Sequence, residues 1–349
     1  MRILLTADPM IPVPPVGYGG IERIVDSLIG ELRARGHTVA LVAKTGSTCQ
    51  VDAFFPWPGD DVRGRLDTAR NIVALRGAVR RFRPDVVHSF ARLAYLLALL
   101  PSRIPKIMSY QRHVAAGQIA PALRLARRGS LRFTGCSEFI CRQGRAAGGT
   151  WTAIHNFVDL AKIDFAPTVP ADAPLLFLSR VESMKGPDLA IEIARRAGRR
   201  LLIAGNRATT GSEAAFFEQK VAPHLDRDGV EWIGEVGDVK KNELLGRSAA
   251  LLVPIQWDEP FGIVFAEALA AGTPVITCAR GALPEIIRPG VTGFTIKDVD
   301  EGVETVKRIL MLDRTACRAD AEASFSLSVC TDRYLQLYTK AATGHDQRP

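Results

Sequence analysis

The chain has 349 residues, 47% of them hydrophobic and 23% charged, and a formal net charge of +8. That length suggests two domains, and the composition excludes a disordered, collagen-like or low-complexity chain. The longest apolar run, Leu93–Leu100, has eight residues, whereas a spanning helix needs roughly 20.

The amino terminus, Met1-Arg2-Ile3-Leu4-Leu5, loses its apolar character at Thr6-Ala7-Asp8, so it predicts a buried strand rather than a signal sequence. The expected location is therefore the cytosol. From there, short apolar runs alternate with amphipathic stretches, the rhythm of βαβ units with buried parallel sheets. Strands are predicted at Arg2–Thr6, Thr38–Ala43, Asp85–Ser89, Lys106–Ser109 and Arg132–Gly135, with helices over Gly20–Arg35 and Leu66–Phe82. The pattern restarts with strands at Leu175–Ser179, Arg200–Ala204, Val230–Ile233, Ala250–Val253, Pro274–Thr277 and Thr292–Ile296. Helix Pro187–Ala197 opens on proline and stops before Gly198, in keeping with start and stop preferences.

Residues 1–156 and 175–330 thus read as two Rossmann-like domains, joined by a proline-containing linker, 157–174. Residues 331–349 read as a last helix and a frayed tail. Two doubly wound domains facing each other would bring strand carboxyl ends to a cleft, where such sheets bind ligands.

Charge is uneven. Residues 61–150 hold 17 basic and 4 acidic residues, while the remainder holds 28 and 33. This excess reads either as a solvated helical surface or as a face for acidic lipid or a phosphorylated substrate. No nucleic-acid motif accompanies it, so no nucleic-acid partner is expected. The six cysteines contain no C-x-x-C pair; Cys136 and Cys141 lack a second pair or a neighbouring histidine, so packed thiols are expected and no metal site.

The densest chemical signal is Asp258-Glu259-Pro260-Phe261-Gly262-Ile263-Val264-Phe265-Ala266-Glu267. Glu259 falls in a loop after a strand, and Glu267 falls inside an apolar helix. A carboxylate among Phe265, Ala266, Ala268 and Leu269 needs a hydrogen-bond donor, and a ribose diol is one. The amides from Phe261 through Gly262 and Ile263 to Val264, at the open amino end of that helix, suit a phosphate or sugar oxygen.

This segment resembles the E-x7-E signature of the retaining glycosyltransferases of family 4, which have the GT-B fold. The resemblance extends to Arg280-Gly281-Ala282-Leu283-Pro284-Glu285 and Gly290-Val291-Thr292-Gly293-Phe294. It takes in Ser179-Arg180 through Lys185-Gly186, similar to the family's diphosphate-binding Arg and Lys, and Gly19-Gly20-Ile21-Glu22, similar to its glycine loop. It implies two facing Rossmann-like domains, acceptor in the first and nucleoside-diphosphate sugar in the second, with no cofactor or metal. Gly19 and Gly20 would meet the distal phosphate, Arg180 and Lys185 the diphosphate, Glu267 the ribose and Glu259 the transferred sugar. It also implies retention, with the leaving phosphate as base, in glycoconjugate, polysaccharide or natural-product synthesis.

Rival readings are a GT-B phosphorylase or epimerase, or a non-catalytic nucleotide-sugar binder. A dinucleotide-dependent oxidoreductase is disfavoured, because Gly17, Gly19 and Gly20 have the wrong spacing. The family's first-domain histidine corresponds here to Gln111 in Lys106-Ile107-Met108-Ser109-Tyr110-Gln111-Arg112-His113. Gln111 replaces it, His113 supplies the imidazole, or the correspondence shifts. His88, ending a predicted strand, is expected to point toward the cleft or to be structural. The acceptor is expected to be membrane-associated or anionic, drawn by Arg124, Arg127, Arg128 and Arg132. Nucleobase contacts near Glu235-Val236 would be made by backbone, so base, sugar and acceptor leave no side-chain trace.

Overall fold

The computed structural model describes residues 1–17, 19–61 and 64–343. The expected frayed tail, Thr343 apart, lies outside the described residues. The chain forms two compact units, Met1–Asn156 together with the chain from Leu327 onward, and Phe157–Ser326.

The first unit contains strands β1 (Arg2–Thr6), β2 (Thr38–Ala43), β3 (Ala53–Pro56), β4 (Val86–Ser89), β5 (Lys106–Tyr110), β6 (Leu131–Gly135) and β7 (Trp151–Ala153). They pair in the order β3-β2-β1-β4-β5-β6-β7, every pair parallel. Ile3 of β1 lies between Val39 and Val86, so the central strand is apolar on both faces. Helix Gly20–Ala34 covers it with Ile24, Val25, Leu28, Ile29 and Leu32, a stripe at helical spacing. Burying each of these side chains contributes about 1.5–3 kcal/mol.

The second unit contains β8 (Leu175–Leu178), β9 (Leu201–Ala204), β10 (Val230–Gly234), β11 (Ala250–Val253), β12 (Val275–Cys278) and β13 (Gly293–Ile296). Their order, β10-β9-β8-β11-β12-β13, is again all parallel and doubly wound. The order reverses between β8 and β11, and such switch points open a crevice at the strand carboxyl ends.

Two segments lie differently from expectation. The stretch 157–174 is packed onto the second unit. Val158 donates to the Phe325 carbonyl at 2.8 Å, and Ala166 donates to the Ala271 carbonyl at 3.1 Å. Ala166 also accepts from Arg314, whose guanidinium bonds the Ser248 and Gly246 carbonyls and Thr273 Oγ1 as well. Arg314 is 7% exposed, and burial pushes it down to about 10. Four acceptors on three segments make it a clamp for this unit.

The last helix is longer than 331 onward; it spans Leu327–Ala342 and belongs to the first unit. Tyr334 and Tyr338 bury their rings against His88, 5.1 and 5.6 Å between centroids, and Arg35 donates to Ser328 Oγ and to Asp332. The helix returns because two tyrosines at i and i+4 present one apolar stripe that the first unit can cover. No helix among the described residues is long and apolar enough to cross a membrane.

Candidate active site

Within the second unit, the loops after β8 and β11 are stitched together at the switch point. The Gln256 backbone N–H donates to the Met184 carbonyl at 2.8 Å. Gly186 has φ of +72°, and a Cβ there would stand 2.2 Å from the Pro254 carbonyl oxygen. Only glycine lets the turn bearing Lys185 lie so close to the chain leaving β11. Gly281 does the same for Glu259: φ is +60°, and a Cβ would fall 2.3 Å from the Glu259 carbonyl oxygen.

These approaches bring Lys185 and Glu259 together. Lys185 Nζ donates to Glu259 Oε2 at 2.6 Å, with the side chains only 11% and 12% exposed. Trp257 Nε1 donates to the same oxygen at 3.0 Å, and Lys185 Nζ sits 4.9 Å from the Trp257 ring centroid. The ammonium is thus held between a carboxylate and an aromatic face, a charge-assisted bond reinforced by a cation–π contact.

Helix Ile263–Ala270 begins directly after this pair, and Gly262, at φ +82°, occupies the capping position with no side-chain cap. The first-turn amides of Ile263 and Val264 have no preceding helical carbonyl to bond. Phe261 points elsewhere: its ring is 1% exposed and packs edge-on against Phe325 at 5.8 Å, so its side chain is core.

Arg180, just past β8, is 42% exposed and donates to Glu182 Oε1 at 2.5 Å. It belongs to the same stretch after β8 as Lys185, but its observed partner is Glu182. Glu267 is 16% exposed and accepts from Lys241, a residue of helix Asp238–Arg247. Lys241 also contacts Asp238 at 3.1 Å. Burial opposes its charge, yet Glu267 and Asp238 outweigh that and hold the ammonium above its ordinary value. Sequence reasoning missed Trp257, Glu182 and Lys241. The i, i+3 spacing of Asp238 and Lys241 was the only local signal, and nothing in it pointed to Glu267.

In the first unit, Gly20 opens helix Gly20–Ala34, and a Cβ on Gly19 would meet Pro15 Cβ at 2.6 Å, so no side chain fits there. Glu22, 5% exposed, closes the same corner. Burial raises its carboxyl, with the Asp8 charge adding to that, against its own backbone bond and Arg112. Gln111 follows β5, with Oε1 shielded and lacking a partner. His113 is exposed and lies 3.0 Å from Gln143 Nε2 through Nδ1.

Of the two readings of His88, the structural one holds and the cleft-facing one is corrected. The ring is fully buried, with Nδ1 2.6 Å from Tyr338 Oη and Nε2 2.6 Å from Ser109 Oγ. Burial pushes it down to about 3, so it is neutral. The basic excess of residues 61–150 is also smaller at the surface than the count implies. Arg132 is 6% exposed on β6, and Lys106 is fully buried, donating to the Leu99, Leu100 and Ser102 carbonyls. Arg124, Arg127 and Arg128 are exposed.

An open hollow of about 1000 Å³ includes Arg195, Arg196, Arg199, Arg200 and Lys220. It lies at the amino-terminal side of β9, away from the switch point. Its arginines are engaged by Asp228, Asp300 and the carbonyls of residues 171–173. Among the described residues, no group of three or more His, Cys, Asp or Glu is placed to hold a metal ion.

Comparison with known proteins points to one family and one fold. The family model "Glycosyltransferase Family 4" matches residues 18–162, and "Glycosyl transferases group 1" matches residues 163–323. A glycogen synthase of Mycobacterium tuberculosis is 26% identical over 99% of this chain and 96% of its own length. A D-inositol 3-phosphate glycosyltransferase of Catenulispora acidiphila is 33% identical, over 52% of this chain and 47% of the relative. Among solved structures, a glycosyltransferase from Rickettsia africae superposes with a TM-score of 0.81 at 18% identity, covering 99% of both chains. HepE of Anabaena, solved with UDP and glucose, gives 0.74 at 17% identity over 97% of this chain and 99% of that one. Two all-parallel Rossmann-like units, a cation–carboxylate pair at the second unit's switch point, and matches to both family models place this chain in glycosyltransferase family 4, as a glycosyltransferase of the GT-B fold.

Proposed function

We propose that the protein transfers a sugar from a nucleoside-diphosphate sugar to an acceptor hydroxyl, with retention and without a metal. The observation that carries this reading is the Lys185–Glu259 pair beside the open amino end of helix Ile263–Ala270. Lys185 supplies a fixed positive charge where diphosphate charge grows as the glycosidic bond breaks. Arg180 turns from Glu182 to a phosphate oxygen, where its guanidinium can fork two bonds. The helix amides add dipoles aimed at the same oxygens, and such preorganised donors are where most of the rate arises. Glu259 accepts a hydroxyl of the transferred sugar through the oxygen not held by Lys185 and Trp257, and Glu267 accepts the ribose hydroxyls. Retention, with the leaving phosphate acting as base, is what the resemblance to the family implies. HepE, solved with UDP and glucose, supports a sugar nucleotide as donor.

Gly19, Gly20 and Gln111 of the first unit serve the distal phosphate and a sugar hydroxyl in this reading. The acceptor is a membrane-associated or anionic glycoconjugate, drawn by Arg124, Arg127 and Arg128, with Arg132 removed from that set by its burial. Leu125, 54% exposed among them, offers an apolar contact as well.

The test is turnover in chelator with UDP-glucose, GDP-mannose, ADP-glucose and TDP-glucose, following release of the diphosphate and the anomeric configuration of the product. One donor should turn over with an α-linked sugar giving an α-product. Inversion, or turnover abolished by chelator, contradicts the mechanism. The same preparation should sediment with acidic vesicles at low salt, and failure to do so removes the membrane contact alone.

A further inference from the structure

Glu267 is the one charged residue of helix Ile263–Ala270, and its neighbours Ala266, Ala268 and Leu269 are buried. Nothing within that helix orients its carboxylate. The orienting group comes from a different element, helix Asp238–Arg247, which starts at the carboxyl end of β10 on the ligand-binding side of the sheet. Lys241 reaches from it to Glu267 Oε1, and Asp238 steadies Lys241 from the preceding turn. Lys241 is 20% exposed and Glu267 16%, so the pair is poorly screened by solvent and its geometry is more fixed than that of a surface ion pair.

We propose that Lys241 is a positioning residue for the donor ribose. By holding Oε1 of Glu267, it presents the second oxygen, Oε2, to the ribose diol. Lys241 bonds Oε1 alone, so Oε2 of Glu267 is the oxygen turned to hydroxyl donors. A ribose that keeps its hydroxyls supplies those donors; a dideoxyribose leaves the half-buried oxygen without one. Lys241 thus sets how strongly the site discriminates between the two sugars. The proposal rests on the reading of Glu267 as the ribose ligand.

The experiment is calorimetric titration with UDP, GDP and ADP, each beside its 2′,3′-dideoxy form, for the wild type, Lys241→Met, Lys241→Arg and Glu267→Gln. The wild type should prefer the ribose form of its nucleotide by about tenfold or more, the range expected for hydrogen bonds to a charged acceptor. That ratio should fall below about threefold in Lys241→Met and be retained in Lys241→Arg, with melting temperature read in parallel. If the Met variant does not fold, Lys241→Gln takes its place. A preserved ratio in the neutral variant, alongside a lost ratio in Glu267→Gln, overturns the positioning role and leaves the ribose reading intact. A ratio preserved in Glu267→Gln overturns the ribose reading, and the role of Lys241 with it.

Discussion

Replacing Lys185 with alanine should lower kcat/KM for donor turnover by about 10²–10³, the size seen when one preorganised charge-stabilising donor is removed. Two losses combine in that substitution. The cation proposed to face the leaving diphosphate disappears, and Glu259 keeps only the Trp257 indole as a donor to Oε2. The carboxylate is then free to rotate away from the transferred sugar, so both ends of the breaking bond are affected. Lys185→Arg should recover only part of the rate. The turn at Gly186 places Cα for a lysine-length reach, and a guanidinium there must give up either Glu259 or the Trp257 face. Initial rates of diphosphate release measure this. A loss of less than threefold in Lys185→Ala would mean that the charge is structural.

The second large effect is on stability in acid. His88 is held neutral, pushed to about 3 by burial, whereas in the unfolded chain it titrates near 6.5. The folded-state value is the depressed one and the neutral form is the one that packs. Below about pH 6.5 the unfolded chain therefore binds a proton that the folded chain refuses. Stability falls with acid at about 1.4 kcal/mol per pH unit through that window, which amounts to about 3 kcal/mol by pH 4.5. His88→Gln should be less stable than the wild type at pH 7.5, having lost ring contacts with Tyr334 and Tyr338. Its deficit should shrink by about 3 kcal/mol at pH 4.5, because other titrating groups cancel in the comparison. Urea unfolding at the two pH values reads the deficit, and an unchanged deficit would show that His88 is protonated in the folded state.

Much of the architecture was legible because buried parallel strands are continuous apolar runs. Two strands were missed for a common reason. β3, Ala53–Pro56, and β7, Trp151–Ala153, are the edge strands of their sheet, and one alternates half-buried with exposed residues while the other has only three. Edge strands need not be apolar on both faces, so no run marks them. The same burial on both faces explains His88. In a strand covered on each side, the position of a residue does not say which face it serves, and Tyr338, 250 residues away, decides it. Lys106 and Arg132 were counted as surface charge because a strand interior reveals nothing about carbonyls waiting to accept from an ammonium.

Glu259, Lys185 and Glu267 stand out in the sequence as candidates by their motif, whereas their partnerships do not. Lys185 and Glu259 are 74 positions apart, and Lys241 and Glu267 are 26 apart. Each pair forms only once β8 and β11, or the helices beside them, have been set side by side. Arg180 shows the converse. Its position after β8 is as the motif implies, but its bond to Glu182 depends on a local turn that the motif does not describe.

A nucleoside-diphosphate site at the second unit's switch point, built as proposed on Arg180, Lys185 and the helix after Glu259, has a direct signature in binding. Calorimetric titration of the purified protein with UDP, GDP, ADP and TDP, with chelator present, tests it most directly. One of the four should bind at micromolar strength, and the heat of binding should be lost in Arg180→Ala. Absence of binding to all four, or undiminished binding in Arg180→Ala, would contradict it.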